Sequence, residues 1–284
     1  MNTLVNLQIE RENGDWDADI NAYAAQLGGE VHGNKIYAPS PGCAADDRSL
    51  VVIFNSATNF FIYGYDGSAG AAYAHVNKVL SLKDNRRPEA ERIAEANRIW
   101  SQTVSAQGTI VEKYLRSRAI TLPVPEVIRF HRSLYHSKSY GIRPAMVARM
   151  DDVDGRLVAV HLTWLPADGS GKANVTPQRK TPGKITGAAI RLCQAAVKLC
   201  VGEGIETCLS VAQATGLHVW AAGSTFGLKT IQLPPIVRDV TWLADGDEEG
   251  KAACRYAMRR LTGRIAQAPE GKDFNDVLIE EAAR

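Results

Sequence analysis

The sequence is poor in several things, and each shortage excludes a class of protein. No apolar run approaches the roughly twenty residues that span a bilayer, so a membrane protein is not expected. The opening stretch MNTLVNLQIEREN lacks the apolar core of a secretion signal, and the expected location is the cytoplasm. The five cysteines, at 43, 193, 200, 208 and 254, form no CxxC pair and are odd in number. Buried free thiols in a reducing compartment are expected in place of disulfides. Neither Gly171-Lys172 nor Gly183-Lys184 is preceded by the glycine that a nucleotide-binding phosphate loop requires, and GEGIET has Thr207 where GxGxxG needs its last glycine. ATP-driven unwinding is therefore not expected of this polypeptide.

What is present is a chain of 284 residues, 45% hydrophobic and 23% charged, with the balance of a globular protein. That length implies two or three units with ample core. The net charge of +2 hides an asymmetry: residues 129–191 carry eleven Lys or Arg against four Asp, so the rest of the chain is net acidic. A basic segment preceding an acidic one suits a polyanion that lies across both.

The most informative stretch is 196–250. Two apolar runs, Val197 to Val201 and Val237 to Ala244, stop abruptly at acidic residues. Short β-branched runs bounded by glycine read as buried strands of a parallel sheet. Glu203 then lies just past one strand, and Asp245 and Asp247 just past the other. Ligands collect at the carboxyl ends of such strands, where loops converge on a crevice. Carboxylate oxygens are hard ligands, and Mg²⁺ takes one or two of them while keeping waters and substrate phosphates. The reading is a Mg²⁺ or Mn²⁺ site that handles phosphates. Alternate residues of the extended segment Asp245-Gly246-Asp247 face the same way, and Gly246 leaves room for close approach.

GEGIET and LADGDEEGKAA resemble the glutamate motif and the DxD motif of the Toprim domain, which bacterial and phage primases, topoisomerases and some nucleases share. GKDFNDVL, residues 271–278, is similar to the acidic third motif of primase-type Toprims. The resemblance implies an α/β fold whose C-terminal parallel sheet is flanked by helices, preceded by a basic antiparallel α+β region and a small N-terminal module. It implies Glu203 as general base or ligand to a second metal, and Asp245, Asp247, Asp273 and Asp276 as the metal set. The basic candidates for triphosphate or template phosphates are Arg179, Lys180, Lys184 and Arg191. Glu206, one turn beyond Glu203, reads as a first-turn residue that stabilises its helix.

Four segments are expected: a module over 1–82, a helical linker over 83–122, a basic α+β region over 123–195 and the Toprim unit over 196–284. In the first, PSPGCAADDRSL followed by FFIYGYDG is similar to the zinc-binding module of Toprim primases. Ser40 stands where the first Cys would be and Cys43 where the His would be, and no later Cys pair follows. Four deprotonated ligands are needed for tetrahedral zinc, so this module is expected to keep the shape without the metal. Helices are expected over 16–30, 71–82, 88–106 and 110–120, with Trp100 and Tyr114 assigned to packing. Strands are expected over 35–39, 49–54, 59–65, 144–152, 156–165 and 188–196, with polar residues 83–90 as linker. A flexible basic loop is expected over 168–187, and a loop over Gly223 to Leu228.

The resemblance as a whole is to primase-like proteins of phages, plasmids and integrated elements. It implies primer synthesis on single-stranded DNA from nucleoside triphosphates, with a separate replicative helicase as a candidate partner. A metal-dependent nuclease and a non-catalytic nucleic-acid-binding protein are the alternatives.

Overall fold

The structure, a computed structural model, describes residues 16–56, 59–63, 69–82 and 87–284. The opening stretch, the end of the strand expected over 59–65 and the first half of the 83–90 linker lie outside the described residues. Two compact units divide the chain, residues 1–86 and 87–284. Among the described residues, no helix is long and apolar enough to cross a membrane.

The first unit runs α1 (Trp16–Leu27), β1 (Glu30–His32), β2 (Lys35–Ala38), β3 (Leu50–Ser56), β4 (Asn59–Tyr63) and α2 (Ala69–Val79), its strands forming an antiparallel sheet in sequence order. Alternate side chains of a strand point to one face, and Leu50, Val52 and Phe54 are accordingly buried with Ile36, Ala38 and Phe60. Ile20, Ala24 and Leu27 of α1 and Ala72 and Val76 of α2 close over that face. The segment expected to resemble a zinc module is closed by hydrogen bonds. Asp47 accepts from the Ser40 amide at 2.8 Å and from the Ser49 hydroxyl at 2.6 Å, while the Ser40 and Ser49 hydroxyls lie 2.6 Å apart. Cys43 is exposed on this loop. A zinc-ribbon character is not shown by this unit.

The second unit opens with α3 (Glu89–Ser101), β5 (Val104–Ser105) and α4 (Ile110–Ser117). It continues through β6 (Ile128–Ser137), β7 (Gly141–Asp151), β8 (Leu157–Trp164) and β9 (Arg179–Lys180), which with β5 form a five-stranded antiparallel sheet in sequence order. Its central strands β7 and β8 are buried on both faces over most of their length. Ala145, Val147, Val160, Leu162 and Trp164 pack with Ala96 and Ile99 of α3. On the other face, Met146, Ala148 and Met150 enter a core shared with Tyr114 and Leu115 of α4 and with residues beyond 200. That shared core is why residues 87–284 form one unit.

The remainder alternates strand and helix: β10 (Lys198–Gly202), α5 (Ile205–Thr215), β11 (Val219–Ala221), α6 (Thr225–Thr230), β12 (Asp239–Ala244), α7 (Glu248–Arg260), β13 (Gly263–Gln267) and α8 (Phe274–Ala282). The strands are all parallel, in the order β11-β10-β12-β13. Leu199, Val201, Val240, Trp242 and Ala244 face a core with Leu228 of α6 and Ala253, Cys254 and Ala257 of α7. Cys200 and Leu243 face the opposite core with Cys208 and Leu209 of α5, against which α8 places Phe274 and Leu278.

Two expectations need correcting. Residues 188–196 are not a strand. Ala189 bridges to Asp151 of β7, and Ile190 bridges to Ala221 of β11. Adjacent residues turn their backbone groups in opposite directions in extended chain, so two residues tie the antiparallel sheet to the parallel one. The expected loop at Gly223 to Leu228 contains α6, because the Ser224 side chain accepts from the Gly227 amide at 3.0 Å and caps a helix start.

Candidate metal and nucleotide site

β10 and β12 are neighbours, with Gly202 aligned to Leu243. Glu203 follows the end of one and Asp245 the end of the other, at one rim of the sheet. A Cβ at Gly202 would come within 2.9 Å of Cys208 Sγ, so the missing side chain lets α5 fold back tightly over the strand end. Asp245 is half-buried and accepts from Thr207 Oγ1 of α5 at 3.4 Å.

The third acidic segment is brought in by main chain. Gly246 donates to the Lys272 carbonyl at 2.8 Å and accepts from the Gly271 amide at 3.2 Å. A Cβ at Gly246 would lie 2.0 Å from the Pro269 carbonyl oxygen, so only glycine permits this contact. The turn between Asp245 and Asp247 is thereby stitched to the turn before Asp273. Asp247 caps α7, accepting from the Gly250 amide at 2.7 Å. Asp273 caps α8 through a reciprocal pair of bonds with Asp276, at 2.8 and 3.1 Å. Arg118, just past α4, approaches Asp276 at 3.8 Å.

The electrostatics follow from this crowding. Burial pushes the Asp245 carboxyl up to about 6, and the charges of Asp273, Asp247 and Asp276 push the same way against the Thr207 hydrogen bond. The buried Cys254 thiol of α7 is raised to about 12, first by burial and then by the charges of Asp245 and Glu203. One thiol thus senses both strand-end acids. Among the described residues, no three His, Cys, Asp or Glu side chains are placed to ligate one ion together. The donor set nonetheless fits a hard divalent cation. Mg²⁺ needs only one or two carboxylates and fills its other positions with water and phosphate, and a cation would offset both the burial and the neighbouring charges that raise Asp245.

A family model described as the Toprim domain matches residues 198–284. This part of the chain is a Toprim domain. Residues 90–192, ahead of the Toprim domain, match a family described as a domain of unknown function (DUF7146). No curated protein matches the chain. Among solved structures, the chain is similar to a DNA primase domain from Pseudomonas aeruginosa, at 15% identity and a TM-score of 0.45, over 68% of this chain and 75% of that one. It is similar to the primase fragment of the bacteriophage T7 primase-helicase protein, at 16% identity and a TM-score of 0.42, over 83% and 91% of the two chains. The E. coli primase catalytic core gives 14% identity and a TM-score of 0.46, over 68% and 76%.

The four basic candidates have different partners. Lys180 donates to the His136 carbonyl at 2.9 Å and lies over the Trp164 ring. Lys184 pairs with Glu89 at 3.0 Å. Arg191 is bonded to the Asp152 and Val153 carbonyls and stacks on Trp220. Arg179 is exposed, and its charge reaches Tyr114, His161 and Glu206.

That last group is the part of the site that sequence reasoning missed. Glu206, in the first turn of α5, is 7% exposed. Its Oε1 accepts from the buried Tyr114 hydroxyl of α4 and lies 3.3 Å from Lys172 Nζ. Burial alone would raise this carboxyl, but Lys172, the Tyr114 hydrogen bond and Arg179 outweigh it and hold the group down at about 2. His161 of β8 is buried beside them and bonded to Thr181 at 3.1 Å. Burial, with Arg179 and Lys172, lowers its pKa to about 4, so the ring is neutral at pH 7. Tyr114 is buried as its helical stripe implies, but its hydroxyl is a polar contact to the Toprim domain as well as a packing group.

Proposed function

We propose that the protein is a metal-dependent nucleotidyltransferase that synthesises primers on single-stranded DNA. The observation that carries this reading is the meeting, at one rim of the Toprim sheet, of two acidic segments far apart in sequence: burial first, and then the charges of Asp273, Asp247 and Asp276, hold the Asp245 carboxyl near 6. A divalent cation bound there would offset charge on phosphate oxygens during an in-line displacement. Asp245 and Asp247 are assigned to hold it, with Asp273 and Asp276 acting through water. Glu203, at the end of β10, is assigned to accept the proton of the attacking hydroxyl. Residues 129–191, with their surplus of Lys and Arg, belong to the same compact unit and supply the surface for template phosphates.

The test is incubation of the purified chain with labelled nucleoside triphosphates, single-stranded DNA and Mg²⁺ or Mn²⁺. Oligomers that disappear with Glu203→Gln support the proposal. Metal-dependent shortening of the template identifies a nuclease, and DNA binding without either product identifies a binding protein.

A further inference from the structure

The buried carboxylate of Glu206 has no part in the reaction proposed above, yet its environment is costly to build. A buried Tyr-Glu-Lys chain adds little stability over an apolar replacement of the same shape, and its neighbours Ile205, Cys208 and Leu209 are apolar core residues that such a replacement would match. Something other than packing accounts for it. Glu206 and Thr207 are consecutive in one helical turn, about 100° apart around the axis, and they serve different walls. Thr207 donates to Asp245 on the acidic side. Glu206 turns to Tyr114 and Lys172, where the charges of Lys172 and Arg179 face a single carboxylate. One residue thus touches the acidic rim, while beside the other two cations face one carboxylate.

Lys172 is delivered by a Gly- and Ser-rich loop. That loop docks on the start of α4, where a Cβ at Gly169 would meet the Ile110 carbonyl oxygen at 2.8 Å. The ammonium bonds inward to Glu206 while the side chain keeps 26% of its surface open. An ammonium carries three N–H donors, so donors remain for a ligand. A free lysine loses rotamer freedom when it is ordered. One already held by a buried partner has lost that freedom before the ligand arrives.

We propose that Glu206, itself fixed by Tyr114, is a positioning residue that holds the Lys172 ammonium for the phosphates of a nucleoside triphosphate whose cation sits on the acidic wall. This rests on the nucleotidyl-transfer reading and adds a residue to it. Recognition is through phosphate, so the base is not discriminated here.

The test is calorimetric titration of the full chain with MgATP and with Mg-tripolyphosphate. Lys172→Met weakens both about tenfold. Glu206→Gln, which keeps an acceptor for Tyr114 but removes the charge, weakens both about three- to tenfold. The double variant is no weaker than Lys172→Met alone, and Tyr114→Phe, a milder change, falls between wild type and Glu206→Gln. In primer synthesis the loss appears in the nucleotide KM with kcat kept. Wild-type affinity in both Glu206→Gln and Tyr114→Phe overturns the positioning role alone, as does an additive double variant. A wild-type chain that binds neither probe overturns the nucleotidyl-transfer reading and this inference with it.

Discussion

Replacing Asp245 with Asn isolates the electrostatic cost of the acidic rim. The wild-type carboxyl is raised from the ordinary value of 3.8 to about 6, by burial first and then by Asp273 and Asp247. A shift of that size corresponds to about 3 kcal/mol of destabilisation once the group is ionised in both states. Solvent around a half-buried group trims this to roughly 1–2 kcal/mol. Because the folded state holds the proton more tightly, stability is lost as pH rises from about 4 to about 6 and stays lost above. Asn keeps the acceptor for Thr207 and removes the charge. In metal-free buffer at pH 7.5, Asp245→Asn is therefore expected to melt about 2–8 °C higher than wild type, at 2–4 °C per kcal/mol for a unit of this size. The gap closes as pH falls toward 4. Added Mg²⁺ raises the melting temperature of wild type and not of the variant. A metal-free Asp245→Asn that melts at or below wild type at pH 7.5, with the secondary structure unchanged by circular dichroism, would refute the reasoning, because neither burial nor the neighbouring acids would then make the ionised carboxyl costly.

Other outcomes follow from particular contacts. Gly246→Ala places a methyl 2.0 Å from the Pro269 carbonyl, and a loss of at least about 2 kcal/mol is expected in urea titration, with Mg²⁺ stabilisation lost as the two acidic turns separate. Asp47→Ala removes the acceptor of the Ser40 amide and the Ser49 hydroxyl. The first unit is expected to be destabilised, read as faster hydrogen exchange in β2 and β3 by mass spectrometry, and EDTA is expected to have no such effect. Cys43 is exposed, whereas Cys200, Cys208 and Cys254 are buried with raised pKa values caused first by burial. Iodoacetamide at pH 8 is expected to label Cys43 in the native chain and the buried three only after denaturation, as peptide mapping would show.

β10 and β12 were legible because their apolar runs end on charge, so the sequence carries both the core face and the rim. That pattern placed Glu203 and Asp245 just past two strand ends, and the structure makes those strands neighbours. The helix after Gly223 was not legible from periodicity because six residues are too few to show one; Ser224 as its cap was the signal available. Residues 188–196 looked like a strand because Ala189 and Ile190 are buried, and burial there comes from joining two sheets rather than from lying within one. Glu206 was read as a first-turn residue, and it is one, but its buried partners were not legible. Its donor, Tyr114, is 92 positions away, and a helical stripe reveals which face is buried without revealing what a hydroxyl at its end will meet. The roles of Lys180 and Arg191 were hidden for a related reason: nearby carbonyls and indole rings determine their conformations, and charge counting does not register those partners.

Asp247 and Asp273 each begin a helix with one oxygen while standing beside Asp245 with their charge. Their amide partners and any visiting cation therefore draw on the same two carboxylates. Filling the rim with an ion would polarise groups already anchoring α7 and α8, so occupancy should be felt along both helices as slower fraying at their first turns. Asparagine at either position separates the two duties, since it can still start the helix while no longer answering to the ion.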